Sequence, residues 1–219
     1  MLRALFEKKG QAVWISHLDL MRLFQRAFKR AGLALTHTQG YNPRPSVSIA
    51  LPLSVGVQSH CELLDFELEG EQLTCEEIKN RLNNALVDGV KVLDVYENGG
   101  KIKNLALLDC TVTLEYDEGI PQGAVDAITS LFSRESLLVE KKSKNGTADQ
   151  DIIPMIRKIA VLAQDAHCIM LNARICCQNP TLNPVQLSAA IAKYLPEYTP
   201  DFVTCCRNEI YTPEEIIFR

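Results

Sequence analysis

The order in which apolar stretches follow one another constrains this chain most. From the N-terminus the pattern reads strand, helix, strand, strand, helix, strand. After a break at Asn98-Gly99-Gly100 much the same order returns. In the first half, residues 2–6 and 12–15 have strand character, with a turn through Lys8-Lys9-Gly10. A helix then runs to about Arg30. Short extended pieces cover 33–38 and 46–51, and 61–68 alternates apolar and polar residues as a half-buried strand should. Thr74, with Glu77 three residues on, opens a second helix to about Leu86, and 90–96 closes the half. In the second half, strands are expected over 107–116, 137–142, 156–164, 168–178 and 202–211. Helices start at Pro121 and Pro184, the polar 143–150 reads as a hairpin tip or loop, and 212–219 as a short helix or frayed end. The fold class is α+β. Each half carries the split βαβ, or ferredoxin-like, order, giving two tandem units over 1–98 and 104–211, the second with an extra strand. The repeat is one of element order and not of residues.

Chemistry-bearing residues gather in the first helix and the loop after it. Ser16 suits an N-cap, and Asp19, three residues on, favours the positive end of the helix dipole. Leu20, Leu23, Phe24, Ala27, Phe28 and Ala31 recur at helical spacing as the buried stripe. Arg22, Arg26 and Arg30 share another face, with Lys29 beside it, and Gly32 ends the helix. Capping alone accounts for Ser16 and Asp19. His17 holds the first helical position, a poor place to bury an imidazole, and is the one candidate general acid or base.

The loop that follows carries Gly40-Tyr41-Asn42-Pro43-Arg44-Pro45. Gly40 permits positive φ, and the residues before Pro43 and Pro45 are held extended, so the loop is stiff. It presents Tyr41, Asn42 and Arg44, an aromatic ring, an amide and a guanidinium, which suit base stacking and phosphate contact. As a plain turn it needs nothing more than Gly, Asn and Pro.

Composition sharpens this. The formal net charge is −4, yet residues 1–60 hold eight Lys and Arg against two Asp and Glu, while the remainder holds 15 against 25. The two parts therefore carry +6 and −10. A basic segment beside an acidic one fits a polyanionic partner, and equally docking on an acidic protein surface. No apolar run reaches the ~20 residues of a bilayer span, and the first residues lack a signal peptide's apolar core, so no membrane role and a cytoplasmic location are expected. The eight cysteines form no CxxC pair and no CxxxCxxC run. Adjacent cysteines on a strand point to opposite faces, so Cys176-Cys177 and Cys205-Cys206 chelate poorly. Reduced, half-buried thiols are expected, with no metal and no cofactor; a soft-metal site built from both pairs is the lesser alternative.

Ser16-His17-Leu18-Asp19, the row Arg22, Arg26, Arg30 and the Gly40–Pro45 motif together resemble the bacterial family of radical SAM-linked proteins, a domain of unknown function. Leu51-Pro52-Leu53, Gly56, Ser59, Glu62, the stretch 141–156 with Asp151-Ile152 before Pro154, and Asn183-Pro184 fit the same pattern. The resemblance implies a bacterial cytoplasmic protein working beside a separate radical SAM enzyme, with a link to RNA modification. It supplies no established activity and no catalytic residue. Three roles are weighed. An RNA-recognition accessory for tRNA or rRNA would use Lys8, Lys9, Arg22, Arg26, Arg30 and Arg44 on phosphates and Tyr41 for stacking, with Asn42 in the same RNA- or anion-binding surface and Ser16, Asp19, Gly40, Pro43 and Pro45 shaping it. An RNA-cleaving or RNA-modifying enzyme would use His17 as acid or base, with Arg22 and Arg44 facing the developing charge. An adaptor would dock the radical SAM chain and touch no RNA. No second catalytic His or Lys is marked by spacing, which favours an accessory without activity of its own.

Overall fold

The computed structural model describes residues 1–70, 73–143 and 146–219. Among them the fold is α+β, with ten strands, mostly antiparallel, and four α-helices. The chain divides into two compact units, Met1–Ile102 with Arg219, and Lys103–Phe218. No helix of the described residues is long and apolar enough to cross a membrane.

The first unit contains β1 (Leu2–Lys8), α1 (His17–Arg30), β2 (Val47–Ile49), β3 (Val57–Phe66), α2 (Cys75–Ala85) and β4 (Val90–Glu97). Its strands lie in the order β4-β1-β3-β2, each antiparallel to its neighbour. Register puts Ala4 opposite Leu64 and Val95, and Phe6 opposite Val92. These residues share the sheet face that α1 and α2 cover. Phe6 meets Phe24 edge to face at 4.8 Å between ring centroids, and Phe28 meets Phe66 at 4.9 Å. All four rings are fully buried. Each contributes about 2 kcal/mol of apolar burial, and this fixes α1 on the sheet. Helix α2 starts with a complete capping box between Thr74 and Glu77, as the spacing predicts. Arg3 and Asp65 stand directly opposite one another on the other sheet face, joined by hydrogen bonds of 2.5 and 3.0 Å. Gly99 closes over them: a Cβ there would fall 2.7 Å from the Arg3 guanidinium.

Residues 12–15 are not a strand. Gly10, at φ +57°, breaks β1, and Gly10–Trp14 winds into a 3-10 turn. Ile15 N–H donates to the Ala12 carbonyl at 3.0 Å, which uses up the backbone groups a strand would have offered. The apolar run Ala12-Val13 is buried all the same, so its hydrophobicity gives the right burial and the wrong period.

The second unit contains β5 (Leu107–Glu115), α3 (Ala124–Phe132), β6 (Leu138–Ser143), β7 (Gly146–Asp151), β8 (Ile156–Ala163), β9 (Cys168–Cys176), α4 (Val185–Tyr194) and β10 (Phe202–Tyr211). Four of these strands lie in the order β10-β5-β9-β8, antiparallel throughout. The order is that of the first unit once β6 and β7 are set aside. Those two pair with each other as a separate ribbon. The single extra strand expected here is therefore a two-stranded insertion. Its second strand occupies 146–151, where a loop was expected; residues 144 and 145 of that expected loop lie outside the described residues. Helix α3 starts at Ala124 and not at Pro121, because Gly123 adopts a left-handed conformation at φ +81°. The tail is neither helical nor frayed. Thr212 N–H donates to Ile216, Phe218 N–H donates to Ile210 at 2.9 Å, and Phe218 is buried.

Candidate functional site

Ser16 caps α1. Its hydroxyl accepts from the Asp19 amide at 3.2 Å and donates to the Asp19 carboxylate at 2.7 Å. That carboxylate also takes the Arg22 guanidinium at 2.9 Å. The Ser16 hydroxyl, and then Arg22, hold the Asp19 carboxyl below its ordinary range. Ser16 and Asp19 thus have a complete structural role. His17 is half-buried, and its buried Nδ1 makes no hydrogen bond among the described residues.

Lys8 is a correction. Expected among the phosphate contacts, it is only 1% exposed. Its ammonium donates inward, to the Ile15 carbonyl at 2.8 Å and the Val13 carbonyl at 3.2 Å, and fastens the 3-10 turn beneath the start of α1. Burial pushes its pKa down, and the nearby Glu62 carboxylate partly restores it. Lys8 keeps the parity of Ala4 and Phe6 along β1 and stands opposite buried Val90, so alternation turns it inward although its charge reads as surface. Lys9 is exposed but pairs with Glu7 at 2.8 Å.

Along α1 the cations divide. Arg22 and Arg26 are exposed, and Arg26 makes no hydrogen bond among the described residues. Arg30 turns toward α2 and donates to the Ala85 carbonyl at 2.5 Å. It is thus drawn away from the face it shares with Arg22 and Arg26 by helical spacing, and does not join the loop. Lys29 does. With Gln25 it forms the helix side of a groove of about 610 Å³, whose other wall carries Leu35, His37 and Pro45. No hydrogen bond or ion pair among the described residues links Arg22 or Arg26 to Tyr41 or Arg44.

The loop is clamped at its base. Thr38 N–H donates to the Arg44 carbonyl at 2.8 Å, and Arg44 N–H returns a bond to the Thr38 hydroxyl at 3.0 Å. His37 bridges Pro45. Beyond the clamp Gly40 takes φ +136°, and Gly40, Tyr41, Asn42, Pro43 and Arg44 are all exposed, Tyr41 completely. The tip thus presents an unburied phenol ring on a closed, proline-framed support.

Sequence reasoning missed four contributors: Gln25, His37 and Glu69 in the groove, and Trp14. Trp14 is 66% exposed and lies against Gly56, where a Cβ would come within 3.5 Å of its ring. The available signal was Trp14 itself, the one tryptophan of the chain, standing four residues before an equally exposed Leu18. All eight cysteines are free thiols. Among the described residues no group of three or more His, Cys, Asp or Glu is placed to hold a metal ion.

The chain belongs to the family described as "Uncharacterized protein conserved in bacteria (DUF2344)", which matches residues 1–184. That span takes in all of α1, the clamped loop and the groove. No curated protein matches the sequence. A crystal structure described as an unknown protein from Galdieria sulphuraria is similar over 94% of this chain and 96% of its own, at 11% identity and a TM-score of 0.27, an overlap too poor to relate the two folds.

Proposed function

We propose that this protein is an RNA-binding, substrate-recognition accessory to a radical SAM RNA-modifying enzyme, built from two ferredoxin-like units. The shared strand order and antiparallel pairing support the second half of that statement. The observation that carries the first is the exposed cationic row of α1, Arg22, Arg26 and Lys29, followed by a clamped loop with Tyr41 and Arg44 in the open. Phosphate contacts of this kind hold and orient a strand, and an exposed ring stacks on a base. The acidic remainder of the chain keeps the attraction local to this surface.

The purified protein is titrated with bulk tRNA across a salt series. Affinity should fall steeply with salt, and Arg26→Ala should reduce the slope of log K against log salt by about 1. No binding at low salt removes the reading.

A second reading, an adaptor that docks the radical SAM chain without RNA, is supported by the exposed apolar side chains of Trp14, Leu18 and Val55 around the start of α1. Capture of that enzyme by the protein, lost in Trp14→Ala while tRNA is ignored, would favour it. RNA cleavage abolished by His17→Ala would instead favour an enzyme.

A further inference from the structure

Three depressions follow one another around the C-terminal turn of α1. The first is the 610 Å³ groove between α1 and the base of the clamped loop. The second, of about 200 Å³, shares Gly32, Leu33, Ala34 and Glu69 with it and reaches Arg81 on α2. The third, of about 330 Å³, shares Arg81 with the second and ends at Arg30 and Asn84. They form one path, with Lys29, Arg81 and Arg30 along it and, among the described residues, the carboxylate of Glu69.

We infer that this path seats a single strand of RNA, with one unstacked nucleobase in the first groove and the backbone passing over Arg81. The inference rests on the RNA-binding reading above and names its subsite. The first groove has the make-up of a base pocket. Its floor is apolar, from Phe28, Leu33, Leu35 and Pro45, and offers a planar ring an apolar contact. Polar groups stand at the rim. The Gln25 amide offers a donor and an acceptor, and the Glu69 carboxylate accepts from an exocyclic amine or ring N–H. Lys29 and His37 flank the opening. Its volume lies inside the range of roughly 300–1,000 Å³ typical of small-molecule sites, enough for a nucleotide. The charge outside is complementary: Lys29 and Arg81 are exposed and face the solvent a phosphate would occupy. A duplex keeps its bases stacked and cannot fill such a recess, so the path selects single strands.

The test uses the full chain, a fluorescein-labelled short oligoribonucleotide of mixed sequence, and a blunt RNA duplex containing the same sequence, read by anisotropy. The single strand should bind about tenfold more tightly than the duplex. Ala34→Phe, which fills the recess, should weaken single-strand binding about tenfold and leave the salt slope unchanged. Arg81→Gln should lower that slope by about 1. Gln25→Ala, a rim change that adds no bulk, should weaken binding by about threefold and guards against misfolding of the filled variant. Wild-type affinity in both Ala34→Phe and Gln25→Ala, or equal affinity for duplex and single strand, overturns the base seat while RNA binding stands. A wild-type chain that binds neither RNA overturns the RNA reading itself.

Discussion

Asp109 and Arg174 are register partners on β5 and β9, joined by two hydrogen bonds of 2.7 and 2.8 Å. Arg3 and Asp65 form the same kind of cross-strand pair between β1 and β3, with the charges exchanged between first and third strand. Each unit therefore pins its two central strands with one cross-strand ion pair on the face away from its helices. In the second unit the guanidinium also stacks on Tyr211, 4.0 Å from the ring centroid, and reaches Glu215 at 2.5 Å.

Burial pushes the Asp109 carboxyl up, but bonds from Arg174 and Tyr211 outweigh it and leave the pKa below the ordinary 3.8. A carboxyl lowered on folding stabilises the native state fully above its unfolded pKa, and the contribution is lost as pH falls through the folded one. Urea midpoints taken from neutral pH downward should fall on the acid side. Asp109→Asn should cost about 1 to 2 kcal/mol near neutrality and flatten that fall. An unchanged acid limb would show that the pair does not govern it.

Lys8→Met should destabilise the first unit by about 3 kcal/mol. It leaves the Ile15 carbonyl without its ammonium donor and the Val13 carbonyl with only Gly56 N–H, at 2.9 Å. Urea unfolding gives the size. Amide exchange should locate the loss at Ala12–Leu20. A loss under about 0.5 kcal/mol would mean that the ammonium is dispensable there.

Thr38→Val removes the hydroxyl that closes the loop on Arg44 N–H and keeps the shape of the side chain. Global stability should change by less than about 1 kcal/mol, since both residues are exposed. Exchange of the Arg44 amide should quicken, and tRNA affinity should drop severalfold because a looser loop must be ordered on binding. Faster exchange with full affinity would separate loop stiffness from recognition.

The thiols yield a chemical check. Burial pushes Cys110 and Cys177 up to about 12 and Cys205 up to about 11. Thiolate is the reactive form, so these three should resist a disulfide reagent at neutral pH until the chain is unfolded. Prompt modification of all eight in the native protein would contradict this burial.

Local signals in the sequence were reliable where one period dominated. The Thr74-x-x-Glu77 box, the stripe Leu20, Phe24, Ala27, Phe28 and the strand Phe202–Tyr211 all fold where spacing puts them. Positions set by tertiary contact were not legible. The charge of Lys8 reads as surface although the Val13 and Ile15 carbonyls hold its ammonium inside, and the ribbon of β6 and β7 looks like a strand and a loop because its second half, Gly146–Asp151, has no apolar alternation. The groove was hidden for a similar reason. Gln25, His37 and Glu69 come from three separate segments, and the helical wheel groups Arg30 with Arg26 although the nearness of α2 draws it aside.

That diversion has a practical side. The Arg30 guanidinium caps the last turn of a neighbouring helix by bonding the Ala85 carbonyl. Removing it frays the end of α2, and with it the ground on which Arg81 stands. Any loss of ligand in an Arg30 variant would mix a missing charge with a loosened scaffold, so Arg26 and Lys29 are the cleaner reporters of electrostatic attraction.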